Sequence, residues 1–370
     1  MGEVANQRFA QKLPTAMAGD AMATAATGGS RTNKPGAEQP FLAADIGGTH
    51  ARIGLVVASA DGKRPVTVLH YHRYRCAEWP NLHALLRDFV DQLADTPHAA
   101  AKGQIDHCAI ACAGYVLNGD IVNGNLPWPV SIRSIREGLG IAQLTVINDF
   151  EAVAYASQFI GADETRTIID AAQPASGSPV LVMGPGTGLG SAVLLPGQPL
   201  AHVLATEAGQ VSLAPGNERE MEVLRALLRE QAHVSFEDVL SGPGLFRLYH
   251  VLGELRGQAT PLSTPAEITG AAQADGDPAA VEALEIFCGL LGSFVGDLVL
   301  LYGARGGVYL AGGILPQVQS FLLTSTFAER YFNKGVMRPY LQQVPVRLIE
   351  HGRLGVIGAA GWLLDERNGG

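Results

Sequence analysis

Short apolar runs alternate with polar and glycine-rich stretches from Phe41 onward, the pattern of an α/β chain. Strand-like runs fall at 41–46, 53–57, 66–71, 107–113, 144–147, 180–183 and 307–310. Helical spacing predicts a helix over 82–93, where Leu82, Leu85, Leu86, Phe89 and Val90 share one stripe. Further helices are expected at 151–159, 220–229, from about Pro316, and at 355–364. Thr264, Pro265 and Glu267 form a capping box with proline at the first helical position, so a helix should begin there. The long apolar stretch 287–304 carries Asp297 and several glycines and reads as a buried core helix rather than a membrane span. Its small residues Gly289, Gly292, Ser293 and Gly296 permit close helix packing.

One pattern occurs twice. FLAADIGGTHARIGLVV at 41–57 and VLVMGPGTGLGSAVLL at 180–195 each run strand, glycine turn, strand. Glycine tolerates positive φ, and without a Cβ it lets backbone N–H groups converge on an anion. Two such turns can grip one polyphosphate from opposite sides. The duplication predicts two related α/β domains around a cleft.

Composition narrows the classes. A chain of 370 residues suits two domains of roughly 150 residues each. Net charge is -9, with no basic stripe to neutralise a nucleic-acid backbone. Cys108 and Cys112 sit four apart in an apolar run, on one strand face; with Cys76 and Cys288 they give neither a zinc spacing nor a disulfide framework, which fits a reducing cytoplasm. Of the histidines, none forms a metal-like pair, and His107, His233 and His351 read as packing or surface residues. Residues 1–40 are expected to be a disordered extension; they lack the basic start and apolar run of a secretory signal, and Met17 and Met22 are alternative starts.

Several residues carry candidate chemistry. Asp45-Ile46-Gly47-Gly48-Thr49 ends a buried strand: the glycines offer amides to phosphate, Thr49 a hydroxyl, and Asp45 a carboxylate that suits Mg²⁺ through water. The same residues suit an ordinary hairpin. Gly186, Thr187, Gly188 and Gly190 form the second turn; no GK[ST] follows, so it is not a Walker loop, and a strand rather than a helix comes next, which disfavours a dinucleotide site. Asp149, in Asn148-Asp149-Phe150-Glu151 at a strand's carboxyl end, is placed to take a proton from a hydroxyl attacking a γ-phosphate, although Asn and Asp are also favoured helix caps. Glu207, Gln210 and Glu237 offer the acceptors and donors a polyol needs; taken alone, Glu237 reads as an acid in a helix first turn after Ser235, and Glu207 equally as a solvated loop acid.

Taken in order, DIGGT (45–49), NDF (148–150), GTGLG (186–190), EAGQV (207–211), EDVLSGPGL (237–245) and VYLAGGI (308–314) resemble the bacterial glucokinases, of the actin-like ATPase and hexokinase fold. The resemblance covers nearly all of 41–364. It implies two actin-like ATPase (ribonuclease H-like) domains, 41–159 plus about 350–370 and 160–349, closing over glucose and Mg-ATP. It implies Asp149 as the general base for the 6-hydroxyl of glucose, and Asn148, Asp149, Glu207, Gln210 and Glu237 as sugar ligands. Asp45, Ile46, Gly47, Gly48, Thr49, Gly186, Thr187, Gly188 and Gly190 match the phosphate loops, and Gly312 and Gly313 the adenosine-side turn. The last helix is expected to return to the first domain. ATP, Mg²⁺ and glucose are the implied ligands, with no nucleic-acid or membrane partner; a homodimer is compatible. Kinases for other hexoses or amino sugars, and a weakly active sugar-sensing paralogue, stay open at this point. The chain departs from the usual EGGH at Ala208 and Gln210, and has His50 where asparagine is common after DIGGT.

Overall fold

The computed structural model describes residues 35–365, except 37, 61–62, 118–119, 123–125, 172–173, 198–200 and 351. The expected extension at 1–34 and His351 lie outside the described residues. Immediately before the first strand, the Gln39 side chain donates to Asp106 Oδ1 at 2.7 Å.

The first glycine turn joins β1 (Phe41–Ile46) and β2 (His50–Ala58), paired antiparallel from Phe41↔Val56 to Ile46↔Ala51. β3 (Val66–Arg75) extends the hairpin, also antiparallel. The chain then crosses through α1 (Leu82–Gln92), whose apolar stripe is buried as its spacing predicts and whose first turn is capped by Asn81. It returns as β4 (His107–Cys112), parallel to β1. A small sheet of β5 (Tyr115–Leu117), β6 (Asp120–Val122) and β7 (Val130–Ser131) precedes α2 (Ile132–Leu139). β8 (Gln143–Ile147) completes the order β3-β2-β1-β4-β8 and leads into α3 (Asp149–Ala156).

The second half repeats the scheme. After β9 (Thr165–Ile169), the second glycine turn joins β10 (Val180–Pro185) and β11 (Leu189–Leu195), and β12 (His202–Thr206) extends that hairpin antiparallel. Helices α4 (Glu218–Leu227), α5 (Gly242–Arg256), α6 (Pro265–Gln273) and α7 (Pro278–Tyr302) follow. Then come β13 (Val308–Leu310), α8 (Gln319–Thr324), α9 (Phe327–Phe332), α10 (Arg338–Leu341), β14 (Val346–Ile349) and α11 (Leu354–Asp365). The order is β12-β11-β10-β13-β14-β9, with β13 parallel to β10 and β14 parallel to β13. Both sheets share a three-stranded antiparallel meander continued by two parallel strands, and the second adds β9 at its edge, antiparallel to β14. The repeat of two glycine turns is thus a repeat of five strands.

Three local expectations change. The helix expected from about Pro316 is a single turn at Leu315–Gln317 followed by α8, the backbone leaving helical geometry between them at Val318 (φ -110, ψ 17). Glu237 is in no helix first turn: the acid that accepts from Ser235 N (2.8 Å) and Oγ (2.9 Å) is Asp238, and the helix starts later, at Ser241. The core helix begins earlier than 287, at Pro278, capped by Asp277; it is apolar and long enough to pass for a span, yet most of it is buried in the protein.

α11 lies on the first sheet, against β1, β4 and α3. Its approach depends on glycines spaced by three. A Cβ on Gly355 would fall 2.5 Å from Asp45 Cγ, on Gly358 1.8 Å from the Ala152 carbonyl oxygen, and on Gly361 2.8 Å from the Tyr155 ring. A core that mixes alanines, among them Ala43, Ala111, Ala152, Ala192 and Ala311, with larger residues such as Ile147, Val182 and Val356 joins the two sheets through α3 and α11.

Candidate active site

The carboxyl end of β1 delivers Asp45 to the head of the first glycine turn. Asp45 Oδ2 accepts from Arg52 Nη1 at 3.1 Å across the hairpin, where the two residues face each other in register. Burial pushes the Asp45 carboxyl up, partly offset by Arg52. The turn itself closes with Gly47 N donating to His50 O at 3.0 Å. It is anchored from behind by Cys76: its N–H donates to Thr49 O at 3.0 Å and its thiol to Gly47 O at 3.3 Å. With the Gly47 and Thr49 carbonyls engaged at the rear, the turn's front is left to its remaining amides and the Thr49 hydroxyl.

β8 delivers the next group. Asn148 caps α3, accepting from Phe150 N (2.9 Å) and Glu151 N (3.2 Å), while Glu151 returns a carboxylate to Asn148 N (3.2 Å). The sequence left Asp149 open between cap and base. Asn148 is the cap, so Asp149 sits one residue inside the helix. Its Oδ1 accepts from the adjacent Phe150 N, at 3.0 Å. Burial first, then the charges of Asp45 and Glu207, push the Asp149 carboxyl up to about 7, against the backbone bonds that lower it. A carboxylate poised there can take a proton near neutral pH.

The second turn is built around close contacts. Gly186 N donates to Gly188 O at 2.7 Å, and Gly242 N at the start of α5 donates to Gly186 O at 2.8 Å. A Cβ on Gly190 would enter the Phe150 ring at 2.0 Å, so the residue after Asp149 wedges directly onto the second hairpin. Gly312, at φ +93, could carry no side chain: its Cβ would fall 2.3 Å from Pro185 O. Gly313 has open space at its Cβ position. Gly242 gathers Gly186, Pro265 and Ile314 within 4.0 Å of its own Cβ position, so the starts of α5 and α6 border the same turn.

The expected sugar residues also assemble. Glu237 Oε2 accepts from Leu189 N (2.7 Å), beside the second turn, and Oε1 from Gln210 Nε2 (2.9 Å). Gln210 O accepts from His233 Nε2 at 3.1 Å. Burial and then the Glu237 charge push Glu207 up. Gly209 passes so close to Leu189 O that a Cβ there would lie 2.4 Å away. Ala208, in contrast, is buried and accommodated. Asp149 thus feels the charges of Asp45 and Glu207, and Glu207 that of Glu237. Among the described residues no group of three or more His, Cys, Asp or Glu side chains is close enough to hold a metal.

Several working residues escape sequence reading. Arg52 pairs with Asp45, Cys76 anchors the first turn, and Phe150 joins the two hairpins. Only Arg52 has a local signal, its β-alternation on the face of the residue it opposes.

A duplicated sheet, two glycine turns and an acid of raised affinity for protons between them define a two-domain phosphotransferase of the actin-like ATPase fold. The family profile described as Glucokinase matches residues 42–366. A "Glucokinase-like protein" of Xylella fastidiosa (strain 9a5c) is 44% identical over 88% of this chain and 95% of its own length. A "Glucokinase" of Saccharophagus degradans is 36% identical over 88% of this chain and 98% of its own. The crystal structure of glucokinase from an Antarctic psychrotroph superposes with a TM-score of 0.74 at 36% identity, over 89% of this chain and 99% of that one. The chain belongs to the glucokinase family and is a sugar phosphotransferase.

Proposed function

We propose that this chain is a glucokinase, transferring the γ-phosphoryl group of ATP to the 6-hydroxyl of D-glucose to give glucose 6-phosphate and ADP. The observation that carries the reading is Asp149: it stands at the start of α3 between the two glycine hairpins, with its proton affinity raised to about 7. Asp149 takes the 6-hydroxyl proton as that oxygen bonds to the γ-phosphorus, and the bond to the bridging oxygen breaks to release ADP. Asn148, Glu207, Gln210 and Glu237 accept and donate to the remaining hydroxyls. The turns 47–49 and 186–190 hold the phosphates by backbone amides, and Gly312 and Gly313 border the adenosine.

The residues present fit a magnesium ion. Asp45 gives its Oδ2 to Arg52, its carboxylate suits an ion held through retained waters, and the Asp45 and Glu207 charges that act on Asp149 leave negative charge for a cation to offset. Bound with the nucleotide, magnesium would neutralise charge on the β- and γ-phosphates. We assign 41–159 with about 350–370 to one domain and 160–349 to the other. The reaction would supply glycolysis, and the four free, buried cysteines suit the cytoplasm.

Asp149→Asn tests the base. Turnover should fall about 10²- to 10⁴-fold while glucose still binds; near-normal turnover removes Asp149 from the role. A second reading, a kinase for another hexose or an amino sugar, is favoured by Gln210. Its amide is turned onto Glu237 rather than left free for a sugar. An ADP-release assay across glucose, mannose, fructose, glucosamine and N-acetylated sugars separates the two.

A further inference from the structure

Outside the reacting centre, one sheet face concentrates positive charge. The register places His50 opposite Arg75 and Arg52 opposite Arg73. Residues two apart share a face, so these four make a block that begins directly after the first glycine turn. Arg52 and Arg73 set like charges directly opposite each other, which is destabilising, and the chain as a whole is acidic at -9. The crowding is therefore not a by-product of composition.

Little nearby balances it. Asp45 serves Arg52. Glu78 stands 3.9 Å from Arg75, and both side chains are largely exposed. Among the described residues Arg73 has no carboxylate partner; its Nη2 lies 2.9 Å from His50 Nε2. Burial and the charges of Arg73, Arg52 and Arg75 hold His50 below the usual range, so a neutral ring can accept that N–H. Arg353 lies over the ring of Tyr71, the next residue along the face, at 5.1 Å. Arg73 and Arg75 are open to solvent, whereas Arg52 and His50 are half-buried and form an inner wall.

We propose that His50, Arg52, Arg73 and Arg75 form a binding site for a phosphate dianion, free or as a small monoester, separate from the nucleotide. Guanidinium forks match phosphate oxygens two at a time. A dianion seated between Arg73 and Arg75 offsets the opposed charges that the empty face must tolerate. The proposal does not depend on the sugar-kinase reading, because it needs neither sugar nor turnover.

Calorimetric titration of the full chain with inorganic phosphate, and separately with glucose 6-phosphate, at about 0.15 M salt tests it. Saturable binding of phosphate is expected, weakened about tenfold or more in the double variant Arg73→Gln, Arg75→Gln and retained in part in the corresponding double lysine variant. Turnover of the glutamine variant at saturating substrates should be unchanged. Tighter binding of the sugar phosphate that is itself weakened in the glutamine variant assigns a sugar phosphate as occupant; sugar-phosphate binding that the glutamine variant leaves unaltered belongs to the product site, and free phosphate is then the occupant. Absence of binding, unaltered binding in the glutamine variant, or displacement of phosphate by magnesium and a non-hydrolysable ATP analogue would overturn the proposal. If the double variant does not fold, Arg75→Gln alone, at a side chain 74% exposed, carries the same comparison.

Discussion

The base role proposed for Asp149 draws on its neighbours rather than on its own chemistry. Burial, Asp45 and Glu207 together lift its proton affinity from the ordinary aspartate range to about 7. Only the deprotonated form can act as base, so kcat/KM for the sugar should rise with pH and level off above about 7. Replacing Asp45 with Asn removes one of the raising charges. The acidic limb should then move to lower pH, whatever happens to the maximal rate; a pH profile with an unmoved limb would dissociate the two residues. The linkage has the opposite sign for folding. Between the usual aspartate value and about 7 the native state binds a proton that the unfolded chain does not, so this group's contribution to stability declines as pH rises through that window. Cys76 gives a second prediction. Cys76→Ser keeps a donor for Gly47 O and Cys76→Ala does not. KM for ATP should rise by roughly two- to tenfold in the alanine variant, the effect of about one hydrogen bond, and less in the serine variant; equal KM values would show that the thiol only fills space. At this scale the sequence shows residue types but not partners. Ser235-Phe236-Glu237-Asp238 offers two acids to one cap, and only the fold reveals that Asp238 takes it while Glu237 reaches Leu189 and Gln210.

Elements were most legible where one local rule acts alone. β1 matches its apolar run, and α6 starts at Pro265 with the capping box that Thr264 and Glu267 announce. α5 was hidden because its first turn reads Gly-Pro-Gly, which looks like a loop. Those glycines exist for contact: a Cβ on Gly244 would come within 2.7 Å of the Val239 backbone. The three-stranded sheet at 115–131 was missed because strands of two or three residues show no periodicity. Gly358 sets two effects against each other. Alanine there should favour the helix by about 1 kcal/mol, yet its methyl would collide with the Ala152 carbonyl, and overpacking costs typically about 1–3 kcal/mol. A backbone carbonyl within a capped helix cannot retreat cheaply, so Gly358→Ala should lower the denaturant midpoint; a raised midpoint would mean that α3 and α11 can separate freely.

At the scale of the molecule, the two sheets meet through α3, α11 and a core in which alanines alternate with larger side chains such as Ile147, Val182 and Val356. If glucose draws Glu207 and Glu237 toward Asp149, saturating sugar should shrink the radius of gyration measured by X-ray scattering, and an unchanged value would argue for a preformed site. The duplicated topology was legible from two glycine turns because each joins two apolar runs that pair antiparallel. The junction between the halves was not, since it depends on which alanines meet.

The position of α11 constrains how the protein can be made. β1 is among the first strands to leave the ribosome, and the helix that seals its face, with glycines shaped to Asp45 and Ala152, is among the last. Until that helix emerges, the earliest-built layer keeps an apolar side open to water. A nascent polypeptide arrested before Leu354 should therefore need a chaperone to stay in solution, and a chain that includes α11 should acquire its first glycine turn and its completed core in the same late step.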